Sequence, residues 1–158
     1  MPRTVEDPVY DRRQILPKAT KSNPSNRIYS KPRPTIKLLY HYPLANVPNF
    51  SILALSVSFP PGGQTPPHRH GGAFVAGVVL SGTAYNKMND EPTKVLEKGE
   101  TWYEAPGCHH RVSANASETE GLEILATFVV ETSVVEEGGP GALVIVDEEY
   151  MDVVFPIA

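Results

Sequence analysis

Residues 62–82, GGQTPPHRHGGAFVAGVVLSG, hold two histidines one residue apart, His68 and His70, followed by an apolar run rich in valine. In a strand, side chains at i and i+2 point to the same face, so the two imidazoles can reach one point. Residues 73–80 are short and apolar, and Ser81-Gly82 stops them as a turn pair would. Both features ask for extended backbone.

Working outward, the same pattern continues on both sides. Runs near 36–40, 51–58, 83–87, 93–97, 100–104, 109–114, 122–131 and 142–146 are rich in Val, Ile, Leu, Phe, Thr and Tyr. Asn89-Asp90 and Lys98-Gly99 separate some of them as turns. In 122–131, Leu122, Ile124, Ala126, Phe128 and Val130 alternate with a face carrying Glu123, Thr127 and Glu131, which reads as a half-buried strand. Sixteen prolines and twelve glycines punctuate the chain, and no stretch of helical length shows a 3.6-residue period with caps. Many short strands at this spacing predict an all-β sandwich, jelly roll or closed barrel.

Two further histidines, His109 and His110, open the run at 109–114. Strand parity turns one of them to the face of the first pair if the two segments cross. Three imidazoles would then converge, a donor set suited to one divalent Zn, Fe, Ni, Cu or Mn ion. Three protein ligands leave positions open, as catalytic rather than structural centres do.

The spacing around these histidines is specific. Gly62, His68, His70 and Gly82 stand as G-x5-H-x-H-x11-G, and Gly99, Gly107 and His110 as G-x7-G-x2-H. This resembles the two signature motifs of the cupin superfamily, over roughly residues 55–132. The resemblance implies a single-domain jelly-roll β-barrel with His68, His70 and His110 as metal ligands and His109 as an outward neighbour or a donor behind the ligands. The usual glutamate of the first motif would fall at Val75, and Pro106 and Asn115 each stand one place late in the second. Some cupins use three histidines without a glutamate, certain iron dioxygenases among them. A site without that carboxylate would keep the full +2 of its ion and favour an anionic substrate oxygen. Val75 would then be an apolar wall beside the metal.

Other residues are weaker candidates. Glu104 and Tyr103 lie on the strand entering Pro106-Gly107, where either can serve as acid or base, and Gln64 can point an amide into the barrel mouth. Trp102 and Phe74 fit the substrate pocket or the core. Cys108 reads as a buried structural thiol, His41 as a strand-end or interface residue, and Arg69 as outward by parity.

The 158 residues suit one domain. Residues 1–35 carry eight basic and three acidic side chains, the rest six basic and fifteen acidic. We read 1–35 as an extended basic arm, not an independent domain, and 36–158 as the barrel. The bases are scattered among prolines without interleaved aromatics, so no nucleic-acid partner is expected. An arm that cannot bury a core of its own is expected to dock, and a homodimer with arm exchange follows from the resemblance. No apolar run spans a bilayer, no secretory signal is seen, and one cysteine excludes an intrachain disulfide, so no membrane partner and a cytoplasmic location are expected. The resulting expectation is a metal-dependent cupin enzyme acting on a small, largely apolar molecule, as in natural-product (secondary) metabolism, by dioxygenase-type cleavage or as an isomerase, dehydratase or cyclase. The rivals are a metal-free cyclase or isomerase using the histidines as acid and base, and a non-catalytic binding cupin.

Overall fold

The computed structural model describes residues 3–5 and 29–158. Their twelve strands are β1 (Arg3–Val5), β2 (Thr35–Pro43), β3 (Phe50–Phe59), β4 (Gln64–Thr65), β5 (His68–Arg69), β6 (Phe74–Ser81), β7 (Thr83–Met88), β8 (Thr93–Glu97), β9 (Thr101–Glu104), β10 (His110–Asn115), β11 (Leu122–Glu131) and β12 (Ile145–Val146). One sheet runs β1-β8-β7-β10-β5-β12, with β4 also on β10, and the other runs β2-β3-β11-β6-β9. All pairs within these sheets are antiparallel. This is the predicted jelly roll, two sheets closed over one core.

Period-two patterning builds that core. Along β11 the even positions Leu122 to Val130 are buried and the odd ones half-exposed. Leu53, Leu55, Val57 and Phe59 on β3, with Val75 and Val79 on β6, turn to the same interior. Each such side chain contributes about 1.5–3 kcal/mol on full burial, so a one-residue slip that reversed the faces would be prohibitive. At Gly77, opposite Trp102 in the β6–β9 ladder, any Cβ would collide with the indole ring. The glycine lets Trp102 lie flat against the sheet beneath the cavity. Gly82, at φ +82°, makes the β6–β7 turn, where a Cβ would also press on the Gly121 carbonyl.

The C-terminal segment departs from the sequence-based expectation. After β11 the chain makes a short helix α1 (Thr132–Gly138). The strand expected at 142–146 is a 3-10 turn over Pro140–Leu143 followed by only two strand residues, Ile145 and Val146. The glycines around Pro140 break extended pairing, and the turn drives Leu143 into the core, where it is fully buried. β12 then pairs with β5, and Ile157 bridges Ile36 in parallel. This segment roofs the end of the barrel that carries the histidines.

Of the N-terminal arm, Arg3–Val5 adds to the β8 edge of its own chain. Tyr29 packs edge-on against Tyr150 at 5.9 Å and donates its hydroxyl hydrogen to the Gln64 carbonyl at 3.1 Å. The remainder of the arm expected to cross to a second subunit lies outside the described residues.

Candidate metal centre

The antiparallel pairing of β5 with β10 sets His68 directly opposite His110. His70 follows β5 on the same side. The ring centroids of His68 lie 4.8 Å from those of His70 and 5.0 Å from those of His110. One ligand atom from each of the three lies within 4.8 Å of the others, and all three residues are buried.

Their hydrogen bonds fix which nitrogens are free. His68 Nδ1–H donates to the Pro66 carbonyl at 2.8 Å, and His70 Nδ1–H donates to the Leu143 carbonyl at 2.5 Å. Because a carbonyl only accepts, each Nδ1 carries the hydrogen and each Nε2 keeps its lone pair when the ring is neutral. His110 Nδ1–H donates to Glu104 Oε1 at 3.0 Å, and its Nε2 lone pair accepts from Asn86 Nδ2 at 2.9 Å, so a metal would take this lone pair in place of the Asn86 amide, whereas those of His68 and His70 are already free. Backing a ring with an acceptor in this way orients it and raises its basicity as a ligand. Burial, then the charges at His70 and His110, push His68 well below its ordinary value, so it stays neutral and ligand-ready. The donor set therefore fits a divalent transition metal.

Glu104 is 2% exposed at the end of β9, opposite Val75 in the ladder. Trp102 Nε1–H donates to its Oε1 at 3.0 Å. Its Oε2 stands 3.3 Å from His70 Nε2 and has no hydrogen-bond partner among the described residues. Burial alone would raise this carboxyl, but the His110 charge and hydrogen bond, followed by His70, hold it well below the usual carboxylate range. Glu104, expected as an acid or base lining the cavity, thus stands beside the histidines, while the first-motif position is Val75 as the sequence has it. Val75 is indeed a fully buried wall, but an ionised carboxylate sits across the ladder from it.

The cavity in front of these groups has a volume of about 50 Å³ and is mainly aliphatic and aromatic, with Leu55, Val57, Ile124 and Phe128 from the barrel and Val144 and Phe155 from the C-terminal roof. Val75, Trp102 and Glu104 line it with the three histidines. Three other expected site residues do not. Tyr103, 67% exposed, and Phe74, 39% exposed, stack on each other at 5.9 Å on the outer face, because parity sends the neighbours of Glu104 and Val75 outward. Gln64 is buried but away from the cavity lining, and its amide atoms have no hydrogen-bond partner among the described residues.

At the rim, His109 Nε2 lies 2.9 and 3.0 Å from the two Asp147 oxygens, and Arg69, on the outer side, lies 3.5 Å from the same carboxylate. Burial lowers the His109 pKa from its ordinary value against the pull of Asp147. Cys108 is half-buried, with Asn89 Nδ2 3.5 Å from its sulfur, rather than the buried thiol expected. His41 lies within β2, half-buried, with its Nε2 unpartnered among the described residues.

Sequence reasoning missed Asn86, Leu143, Val144 and Phe155. Asn86 carried a signal, being the one polar residue at a buried position of β7 between Ala84 and Met88. The others approach the site from more than seventy residues downstream of His70, and local pattern does not report such contacts.

A family model described as "Cupin domain" matches residues 55–128, a stretch that contains every residue of the cluster. No curated protein matches the sequence. Among solved structures, a double-stranded β-helix protein from Klebsiella pneumoniae subsp. pneumoniae aligns with a TM-score of 0.50 at 16% identity, covering 80% of this chain and 91% of its own. The cupin domain of Schizosaccharomyces pombe Cnp3 gives 0.49 at 19%, covering 67% and 68%. An oxalate oxidase in complex with the substrate analogue glycolate gives 0.46 at 19%, covering 75% and 63%. At 16% identity the likeness to the Klebsiella protein concerns the fold alone.

Proposed function

We propose that this chain, whose residues 55–128 match a family model of the cupin domain, is a metal-dependent enzyme that transforms a small, largely apolar organic molecule at His68, His70 and His110. One observation carries this reading: backbone carbonyls take the Nδ1–H of His68 and His70, so both Nε2 lone pairs are left in one buried cavity. Lone pairs held together without hydrogens suit a cation and little else. A divalent ion bound there would supply Lewis acidity and, for a redox-active metal, oxygen chemistry.

The chain's own residues do the rest. His68, His70 and His110 hold the ion, Glu104 holds the His110 tautomer, and Trp102 holds Glu104. Phe128, packed edge-on to His70 at 5.1 Å, and the roof residues Val144 and Phe155 exclude water and accept apolar substrate atoms. The cavity as it stands takes only a few waters, so a substrate enters by displacing part of the C-terminal roof. The reaction classes that suit this site are oxygenative cleavage and Lewis-acid isomerisation, dehydration or cyclisation.

A second reading is a metal-free isomerase or cyclase, favoured by the direct Glu104–His110 contact, which is an acid–base pair in its own right. Metal content after purification without added metal, together with turnover before and after chelation, separates the two. Turnover that disappears with the metal and returns with it supports the metal reading; full turnover in metal-free protein refutes it. Indifference to both, with ligand binding retained, points to a binding cupin.

We also propose a homodimer in a cytoplasmic setting. Support comes from the apolar outer face of the five-stranded sheet, where Leu39, Tyr42, Phe74, Leu80 and Tyr103 are exposed, and from the single cysteine. Sedimentation as a monomer at micromolar concentration would remove the dimer.

A further inference from the structure

The three histidines do not account for Glu104. Its carboxylate is nine-tenths and more buried, and one oxygen is fully employed, accepting from Trp102 Nε1–H and His110 Nδ1–H, both at 3.0 Å. The other oxygen, Oε2, has no hydrogen-bond partner among the described residues. It stands 3.3 Å from His70 Nε2, and that nitrogen has no hydrogen to give while His70 Nδ1–H is bound to the Leu143 carbonyl. Two lone-pair atoms thus face each other out of water, an arrangement that is unfavourable unless a positive charge lies between them. A proton can bridge one such pair only. Here His68 Nε2 is a third lone pair in the same cluster, also without a hydrogen. Glu104 stands outside the three-histidine group itself, but a cation held on those histidines would lie beside Oε2 and relieve its pairing with His70 Nε2.

We infer that Glu104 is the anionic ligand of the metal centre, delivered from β9 through Oε2, while Oε1 stays anchored by Trp102 and His110. The inference rests on the metal reading above. A separation of 3.3 Å between Oε2 and His70 Nε2 matches two adjacent ligands on one ion, given metal–ligand distances of about 2.0–2.2 Å. The anchoring of Oε1 makes the ligand monodentate and keeps open positions facing the apolar cavity. It also gives Gly77 a purpose: only a glycine there admits the indole that steers the carboxylate. With one carboxylate bound, the centre carries a net +1 with a divalent ion, and a neutral or singly anionic oxygen donor completes it.

The test is Co(II) titration of the purified protein, read by affinity against a competing chelator and by the visible spectrum of the bound ion, with no turnover required. Glutamine at 104 keeps an oxygen that can accept from Trp102 and His110 but removes the charge. If Glu104 merely orients His110, Glu104→Gln should bind Co(II) as wild type does. As a ligand, its replacement should weaken Co(II) binding about tenfold or more and change the spectrum. Val75 faces the same cavity from across the ladder, so adding Val75→Glu to Glu104→Gln should recover most of the loss. An unchanged affinity and spectrum in Glu104→Gln overturns the inference while leaving the metal reading intact. Wild-type protein that takes up no Co(II) overturns both. Should Glu104→Gln not fold, Glu104→Asp carries the same comparison: it retains charge but withdraws it by one methylene, and wild-type binding in that variant likewise overturns the inference.

Discussion

His109 and His110 are neighbours in sequence and each meets a carboxylate, yet the two clusters differ in kind. His110 and Glu104 are both 3% exposed by side chain, sealed by Trp102 and Asn86. His109 and Asp147 are 20% and 26% exposed, with Arg69 alongside at the rim. A half-turn of strand parity separates a buried donor set from an ordinary surface pair. The same residue types are inexpensive where water solvates them, and costly without mutual partners where it does not. This is why the buried cluster, and not the rim cluster, reads as a site.

The largest contrast should come from removing one histidine from each cluster. His110→Ala removes one of the three histidines from the ligand set and also releases the Oε1 anchor of Glu104, which is left buried without its strongest partner. We expect loss of bound metal and a destabilisation of about 3–5 kcal/mol, the usual cost of breaking a buried pair from one side. His68→Ala and His70→Ala should also lose the metal. Elemental analysis and urea unfolding read both quantities. A His110→Ala protein that retains stoichiometric metal would erase the distinction between the clusters.

Gly77→Ala probes how the buried cluster is held. Its new methyl collides with the Trp102 ring, so we expect about 1–3 kcal/mol of overpacking cost and weakened metal retention through the displaced Glu104 anchor. Unfolding midpoints and chelator competition measure the two parts. Unchanged metal retention would mean that Trp102 does not steer Glu104.

Acid should sharpen the comparison further. The folded state holds His68 below its ordinary value of 6.5, so the unfolded chain binds more protons and the protein loses stability as pH falls through 6.5. Protons compete for the same lone pairs, so metal leaves in the same range. Glu104, also held low, adds a second loss below its ordinary 4.5. Midpoints followed from pH 8 to pH 4 should therefore drop in two stages, about the ordinary histidine and carboxylate values. A flat profile between pH 8 and pH 5 would contradict a buried neutral His68.

Much of this was legible in the chain itself. The alternation in 122–131 and the H-x-H spacing are local, and β11 and the His68–His70 pair follow them closely. Glu104 was legible only as a candidate, because its partnership with His70 depends on which strand β9 pairs with. Period two also separates it from Tyr103: adjacent residues of one strand cannot both face the cavity, and Trp102 and Glu104 do. The Leu143 carbonyl behind His70 has no sequence signature, since any residue supplies a carbonyl and only the fold of the C-terminal roof brings this one in.

The smallest effect belongs to the rim. His109→Ala should keep its metal and change stability by no more than about 1 kcal/mol, as exposed ion pairs do. Loss of metal in that variant would place the rim histidine in the centre after all.

The central claim is that His68, His70 and His110 hold one metal ion. Anomalous diffraction from crystals of protein loaded with Zn(II), collected above and below the zinc edge, tests it most directly. The account predicts one peak about 2.0–2.1 Å from a nitrogen of each of the three imidazoles. No peak among them, in crystals whose dissolved protein is catalytically competent, would contradict it.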